Sequence, residues 1–244
     1  MLNPLRHGRR EADMFRDKTQ AEEAPGLKRP SLRAKAQLAS SVKSKQKSVA
    51  REYAEALVVA LLLALFIRSF IVQAFKIPSG SMLPTLQIGD HILVNKFLYG
   101  LRVPYPFEKM VVQWGQPRQG DVIVFIYPKD RTKDFIKRVI AVGGDTVEIR
   151  HKQVYVNGAK LAVPQATFAD GDQESSGPRD NYGPITVPPH KLFVMGDNRD
   201  RSHDSRFWGF ADLDDVKGKA FLIYWSWDGE DRWVRWERLG ALIH

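Results

Sequence analysis

Hydrophobic and polar positions divide the chain into three parts. About the first 50 residues mix Lys, Arg, Ser, Ala and Pro with few large apolar groups. Such a composition cannot bury enough surface to offset the entropy of ordering, so we predict a flexible tail over residues 1–53. An uncharged run from Ala56 to Ile67 follows, and beyond Lys76 short β-branched runs alternate with turn residues.

The apolar run predicts one transmembrane helix. With its flanks it covers residues 54–75, a length that crosses a bilayer when the flanking polar groups reach the interface. Two alternatives stay open. The strictly apolar part has only 12 residues, which also suits a buried core helix, and Val72-Gln73-Ala74 is similar to the cleavage site of a signal peptide. The long basic tail argues against both alternatives. A core helix would find no neighbouring helix in such a tail to pack against, and the tail is longer than the basic region that begins a signal peptide.

Positive charge before the helix predicts the orientation. Lys43, Lys45, Lys47 and Arg51 precede the apolar run, and the positive-inside rule places such residues in the cytoplasm. We therefore expect a single-pass protein of the cell membrane, the inner or cytoplasmic membrane, with residues 76–244 on the extracytoplasmic side.

The segment after Lys76 predicts a mainly β body. Residues 146–190 are predicted as an inserted region, with a hairpin at Asn157-Gly158 and an exposed loop from Ala169 to Pro184. The clearest strands are His91 to Asn95, Val122 to Tyr127, Phe135 to Val142, Thr146 to Arg150 and Leu192 to Met195.

Composition excludes several kinds of function. Of the formal net charge of +9, seven units belong to residues 1–52, so the body has no strong basic patch and we predict no nucleic-acid partner. The chain has no cysteine, and its six histidines lack metal-ligand spacing. We predict no metal and no other cofactor.

A serine-containing turn follows the apolar run. Pro78 to Leu86 reads PSGSMLPTL, in which glycine allows close backbone approach and the prolines restrict the chain around Ser79 and Ser81. The hydroxyls suit a nucleophile that faces the membrane, although serines in turns usually bond only local backbone.

Lys137 is the candidate base for such a serine. In the strand Phe135 to Val142 it alternates onto the same face as Phe135 and Val139, among apolar neighbours. Burial disfavours the ammonium, and lowering a lysine pKa by about 3 units makes it an effective general base. The alternative is a solvated strand lysine whose stem covers apolar surface.

A polar run, GDNRDRSHDSRFWG, extends from Gly196 to Gly209 directly after an apolar strand. Clusters of this kind usually form turns with internal hydrogen bonds and ion pairs. The neighbouring His203 and Asp204 suggest a Ser-His-Asp triad, but adjacent side chains point in different directions, which disfavours it.

Together these segments resemble bacterial signal peptidase I, the membrane-anchored serine/lysine protease that removes signal peptides from exported proteins. FKIPSGSMLPTLQIGD, GDVIVF, DFIKRVIAVGGD and GDNRDRSHDSRFWG occur in the family's order with compatible spacing. The resemblance implies an antiparallel β catalytic body with an inserted β-ribbon and loop region, preceded by one transmembrane α-helix. It does not extend to the tail or to the segment from about Val147 to Pro189.

The resemblance also implies a role for each matched residue. Ser81 is the expected nucleophile and Lys137 the general base, while Ser79 joins the Ser81 backbone N–H in an oxyanion hole. Ser202 is expected to orient the lysine. The supporting ion pair is Asp204 with Arg206, and the pocket for the first residue before the cut is lined by Ile77, Leu86 and Ile136. Where many relatives have a small residue, this chain has His203.

Preprotein signal peptides with small residues before the cut are the substrates that the resemblance implies. The bilayer is the second expected partner. Four of the six tryptophans, Trp225, Trp227, Trp233 and Trp236, lie in the last 20 residues, where they suit a membrane–water boundary as well as a core. The alternatives in function are a membrane-tethered, non-catalytic β module and a self-cleaving Ser/Lys regulator, a class that carries a DNA-binding domain.

Overall fold

The computed structural model describes residues 49–103, 110–171, 173–175 and 177–244. The apolar run forms helix α1 (Val49–Phe66), which continues as a π-helical turn, Ile67–Ile71. Together they have 23 residues with a mean hydropathy of 2.2. At 1.5 Å per residue this is about 34 Å, enough to cross the apolar part of a bilayer. No side chain of α1 is buried by the other described residues.

The helical segment ends earlier than predicted. We expected helix as far as Phe75, but Val72 to Lys76 form strand β1, whose residue Val72 lies opposite Asn95. Pairing with a neighbouring strand satisfies the backbone here, and no pattern within the segment itself reveals that partner. Of the predicted flexible tail, residues 49–53 belong to α1 instead, and residues 1–48 lie outside the described residues.

The body consists of strands and short helical turns, which confirms the predicted mainly β fold with one preceding helix. A second helix, α2, spans Ser205–Trp208. The strands are β1 (Val72–Lys76), β2 (Asp90–Asn95), β3 (Gly100–Arg102), β4 (Met110–Gln113), β5 (Val122–Ile126), β6 (Asp134–Val142), β7 (Thr146–Arg150), β8 (Gln153–Val156), β9 (Ala159–Lys160), β10 (Tyr182–Thr186), β11 (Lys191–Met195), β12 (Ala211–Asp212), β13 (Val216–Asp228) and β14 (Trp233–Val234). Each strand listed from the sequence matches one of them to within a residue at either end.

The large antiparallel sheet has the order β1-β2-β13-β5-β6-β11-β12, and β14 pairs with β13. Long-range pairing therefore brings β6 between β5 and β11. Apolar side chains of β2, β5 and β13 form one core cluster, to which Ile77 and Leu86 also belong. The core thus supports the turn between β1 and β2 from below.

The inserted region forms a separate four-stranded sheet in the order β10-β7-β8-β9. Asn157 and Gly158 have positive φ, 53° and 81°, and connect β8 to β9 as the predicted hairpin turn. The prediction of an exposed loop from Ala169 to Pro184 was wrong in part. Its last three residues belong to β10, and Asp180 is 1% exposed, with its carbonyl accepting a hydrogen bond from the Lys152 N–H at 3.0 Å.

Candidate active site

Ser81 lies in a tight turn between β1 and β2. Residues Gly80–Met82 form one 3-10 turn, and we call residues 79–83 the serine turn. The core beneath it buries Met82 completely, while Ser81 keeps 9% of its surface exposed. The nucleophile candidate is therefore held by packing on one side and is open on the other.

Lys137 reaches Ser81 from the middle of β6. Its Nζ atom lies 2.6 Å from Ser81 Oγ, and the side chain is 4% exposed. Burial lowers the pKa of Lys137 to about 8, against the opposing attraction of Asp204 and Asp197. A neutral amine accepts a proton from a hydroxyl at this distance, so the pair has the geometry of a base with its nucleophile.

Asp204 and Arg206 form a buried ion pair beside the lysine. Asp204 is fully buried and accepts hydrogen bonds from Arg206 Nε and Nη2, both at 2.8 Å, and from the Gly196 N–H at 3.1 Å. Burial opposes ionisation of Asp204, but the hydrogen bonds and the positive charge of Arg206 hold its pKa below the usual value. The carboxylate therefore stays charged and keeps Arg206 in place.

Arg138 and Asp197 form a second buried pair, which the sequence analysis missed. Arg138 Nε and Nη2 each donate to Asp197 at 2.7 Å, and neither side chain is more than 3% exposed. Thr85 Oγ1 also donates to Asp197, at 2.6 Å. Arg138 follows Lys137 in β6, and strand alternation turns the two side chains to opposite faces of the sheet. An arginine inside a predicted buried strand needs a buried acidic partner, and that requirement is the sequence signal that could have revealed the pair.

The segment 196–204, which we call the polar loop, contacts the serine turn directly. The Asn198 N–H donates to Ser81 O at 3.1 Å, and Asn198 Nδ2 donates to Gly80 O at 3.1 Å. Gly196 lies against the same carbonyl, since a Cβ atom at this position would be 2.3 Å from Ser81 O. Only glycine fits there.

Ser79 and Ser202 occupy different environments. Ser79 is exposed, in extended conformation at the start of the serine turn, and its side chain does not cap that turn. Ser202 is 3% exposed, and its hydroxyl has no hydrogen-bond partner among the described residues. The hydrogen bond expected from Ser202 to Lys137 is thus not formed in this conformation, in which Lys137 Nζ bonds Ser81.

A cavity of about 480 Å³ opens in front of the nucleophile. Its wall includes Pro78, Ser79, Ser81, Phe135, Ile136 and Lys137. Ile77 and Leu86, at 2% and 0% exposure, lie in the core instead, and Ile136 packs against the same cluster. Of the three expected pocket residues, Ile136 is the one that lines this cavity.

His203 also lines the cavity, but it does not build a triad. Its Nε2 atom lies 3.4 Å from Tyr127 Oη, and its ring stacks on Phe207. The oxygens of Asp204 are occupied by Arg206 and Gly196, as described above. Lys137, and not His203, is the basic group hydrogen-bonded to Ser81 Oγ.

Comparison with known proteins identifies the family of the chain. The family described as "Signal peptidase, peptidase S26" matches residues 50–225. Signal peptidase I of Pseudomonas fluorescens is 38% identical over 192 residues, covering 66% of this chain and 67% of that protein. Signal peptidase I of Aquifex aeolicus is 36% identical over 213 residues, covering 66% of this chain and 78% of that protein.

A solved structure of a signal peptidase I from Enterococcus faecalis is also similar. It is 31% identical and covers 43% of this chain and 96% of that chain, with a TM-score of 0.36. From the family match and the two relatives, the chain belongs to the signal peptidase family, peptidase S26, and it is a serine endopeptidase of the signal peptidase I type.

Proposed function

We propose that Ser81 is the nucleophile and Lys137 the general base with which this peptidase removes signal peptides from preproteins. The observation that carries the proposal is the 2.6 Å contact between Ser81 Oγ and Lys137 Nζ, with the lysine buried and its pKa lowered. A lysine in this state takes up a proton near neutral pH, which a solvated lysine cannot do.

The reaction proceeds in two steps. Neutral Lys137 accepts the Ser81 proton while Ser81 Oγ attacks the carbonyl carbon of the last residue of the signal peptide. The ammonium then protonates the leaving amine, and an acyl-enzyme remains. In the second step Lys137 takes a proton from water, the hydroxide oxygen attacks the ester carbonyl, and Ser81 recovers its proton.

The remaining residues support this chemistry. The hydroxyl of Ser79 and the backbone N–H of Ser81 bind the oxyanion, a contribution of about 3 kcal/mol for each donor at comparable sites. Ser202, which lies beside Asp204, orients the lysine during proton transfer. The buried Asp204–Arg206 pair holds the polar loop in place around Ser202, because Arg206 Nη2 donates a hydrogen bond to the carbonyl of Arg199 in that loop.

Small side chains before the cut fit the cavity. Ile136 forms its wall, and Ile77 and Leu86 support that wall from the core. Bulky substrate side chains are excluded, because the protein side chains beneath the cavity wall are close-packed and cannot move aside. The substrate binds in extended conformation beside the serine turn, through main-chain hydrogen bonds.

Residues 72–244 form the extracytoplasmic catalytic domain, with residues 146–190 as its insertion. The helical residues 49–71 provide the membrane anchor, and the basic tail that precedes them remains in the cytoplasm. The helix of suitable length and the positive charge before it support this orientation in the cell membrane. At the other end of the chain, Trp225, Trp227, Trp233 and Trp236 are 36% to 65% exposed, and we assign them to the lipid surface.

The test is cleavage of a preprotein by the detergent-solubilised full chain. Wild type should produce a new N-terminus directly after a small residue, found by sequencing the product. Ser81→Ala and Lys137→Ala should each abolish cleavage, and Ser81→Ala should still bind the preprotein. Ser175→Ala and Lys160→Ala are matched controls, because both side chains are exposed and outside the cavity.

The outcomes separate the alternatives. A non-catalytic β module would bind the preprotein and leave it intact in wild type as well. Cleavage that persists in Ser81→Ala would show that another group is the nucleophile, and cleavage that persists in Lys137→Ala would reject the lysine as the base.

A further inference from the structure

Thr167 connects the two segments that form the active site. It lies between β9 and β10, in the inserted region. Its N–H donates to Asp197 O at 2.7 Å, and its carbonyl accepts from the Arg199 N–H at 2.9 Å. Its hydroxyl lies 3.2 Å from Leu83 O, in the serine turn, and 3.5 Å from Asp197 O. One residue thus bonds the polar loop with its backbone and the serine turn with its side chain.

Asn198 makes the complementary contacts from the polar loop. Thr167 and Asn198 face each other as a parallel β-bridge. Asn198 donates to Gly80 O and Ser81 O, as described above, while Thr167 donates to Leu83 O. Three carbonyls of the serine turn are therefore held by two neighbouring residues. These bonds limit the rotation of the peptide groups on both sides of the nucleophile.

The inserted sheet fixes the position of this bridge. Asp200, in the polar loop, is 1% exposed and accepts hydrogen bonds from the Asp170 N–H at 2.9 Å and Lys152 Nζ at 3.4 Å. Lys152 follows β7 and also donates to Gly171 O at 2.8 Å. Arg206 Nη1 donates to Arg179 O at 2.9 Å. Asp200, before Ser202, and Arg206, after it, thus both attach this part of the chain to the insertion.

We propose that Thr167 is a positioning residue for peptide-bond cleavage, through which the inserted region sets the geometry of the serine turn. The proposal rests on the function of Ser81 and Lys137 given above. The serine turn carries both the attacking oxygen and the backbone N–H that binds the oxyanion, and a displacement of 1 Å in such a group costs about 100-fold in rate. The hydroxyl of Thr167 opposes that displacement without touching substrate.

Thr167→Val is the variant that isolates this role. It keeps the branched shape and both backbone bonds, and it removes only the donor to Leu83 O. With the full chain and a preprotein substrate, we expect kcat to fall by about 10-fold while KM changes by less than about 2-fold. Thr167→Ser retains the hydroxyl and should restore kcat to within about 3-fold of wild type.

Thr186→Val is the matched control. Thr186 lies in β10 of the same inserted sheet, and its hydroxyl is 3.4 Å from that of Thr146, away from the polar loop. The variant makes the same chemical change without a contact to the active site, so kcat should stay at the wild-type value. Thermal unfolding of all variants shows whether any loss of rate arises from unfolding.

A double-mutant cycle with Asn198→Ala tests whether both residues restrain one turn. If they do, the fold-decrease of kcat in the double variant should be smaller than the product of the fold-decreases in the two single variants. Either single change already frees the serine turn to move, so the second change adds little. Wild-type kcat in Thr167→Val, an equal loss in Thr186→Val, or no recovery in Thr167→Ser overturns the proposal. Ser81→Ala is measured in parallel: if it still cleaves, the assigned nucleophile is wrong, whereas an inactive Ser81→Ala with a fully active Thr167→Val rejects only the role of Thr167.

Discussion

Lys137 Nζ lies 5.5 Å from the centroid of the Phe135 ring, two residues earlier on the same face of β6. An aromatic face attracts an ammonium by about 0.5 to 2 kcal/mol, which favours the charged lysine. Burial acts in the opposite direction, and lowering the pKa from 10.5 to about 8 corresponds to about 3 kcal/mol. The loss of water outweighs the attraction of the ring, so the surroundings of Lys137 favour the neutral amine.

The rate of cleavage should therefore depend on the protonation of Lys137. Since the base must be neutral, kcat/KM should rise with pH and level off above the pKa of about 8. At pH 7 a lysine with this pKa is neutral in about one molecule in ten, against about one in three thousand for an ordinary lysine. Preprotein cleavage measured from pH 5 to 10 checks this, and a rate that does not change between pH 6 and 9 would contradict Lys137 as the base.

The same lysine should cost the protein stability. In the pH range from about 8 to 10.5 the unfolded chain holds more protons on Lys137 than the folded chain, so stability rises with pH across that window and the full penalty applies below it. Lys137→Met should raise the free energy of unfolding at pH 7 by up to about 3 kcal/mol, and the gain should vanish above about pH 10.5. Lys160→Met, on exposed β9, should change it by less than about 0.5 kcal/mol. Equal effects of the two variants would contradict a desolvated Lys137.

Asp204→Asn should destabilise the protein, because it leaves the Arg206 guanidinium buried without a counter-charge. Removing one partner of a buried ion pair typically costs about 3 to 5 kcal/mol. Cleavage should fall as well, since the polar loop loses its anchor. Lys133→Ala breaks the exposed pair with Asp130 and should change the stability little, because solvent screens that pair. Urea unfolding measures the stability of both variants. A similar loss of unfolding free energy in the two would show that burial does not strengthen the dependence on the Asp204–Arg206 pair.

Gly196→Ala should abolish activity. The added Cβ would lie 2.3 Å from Ser81 O and 2.4 Å from Ser202 Oγ, so the serine turn and the polar loop must separate. A shift of about 1 Å at a nucleophile costs about 100-fold in kcat. Gly229→Ala is the control, because a Cβ there meets nothing within 4 Å. If Gly196→Ala cleaves preprotein at the wild-type rate, the contact is not the tight one described.

The exposed tryptophans near the C-terminus should lie in lipid. In bilayers that contain brominated lipid, the intrinsic fluorescence of the full chain should be quenched, and Trp233→Ser with Trp236→Ser should remove part of the quenching. Those two side chains are 65% and 60% exposed, whereas Trp208 is 7% exposed and Trp208→Phe should leave the quenched fraction largely unchanged. Quenching that is unchanged in the double variant would assign these residues to the aqueous surface.

Local patterns in the sequence carried much of the prediction. Alternation predicted β6 and placed Lys137 with Phe135, and the Asn157-Gly158 pair predicted the hairpin turn at which β8 meets β9. These features depend on neighbours a few residues away, so their physical causes are contained in short segments. The roles of Ser81 and Lys137 were predicted from four sequence motifs that occur in the order typical of the signal peptidase I family, and no single motif predicts them.

The sequence by itself determined that a serine in a rigid turn, a strand lysine with apolar neighbours and an apolar helix occur in one chain. Only the tertiary structure decided that Lys137 Nζ lies 2.6 Å from Ser81 Oγ across 56 residues, that Arg138 pairs with Asp197, and that Thr167 joins the two catalytic segments. Strand register and the packing of the insertion create these contacts. A periodic pattern states which face a side chain occupies, but the partner on that face is chosen by the free energy of the whole sheet.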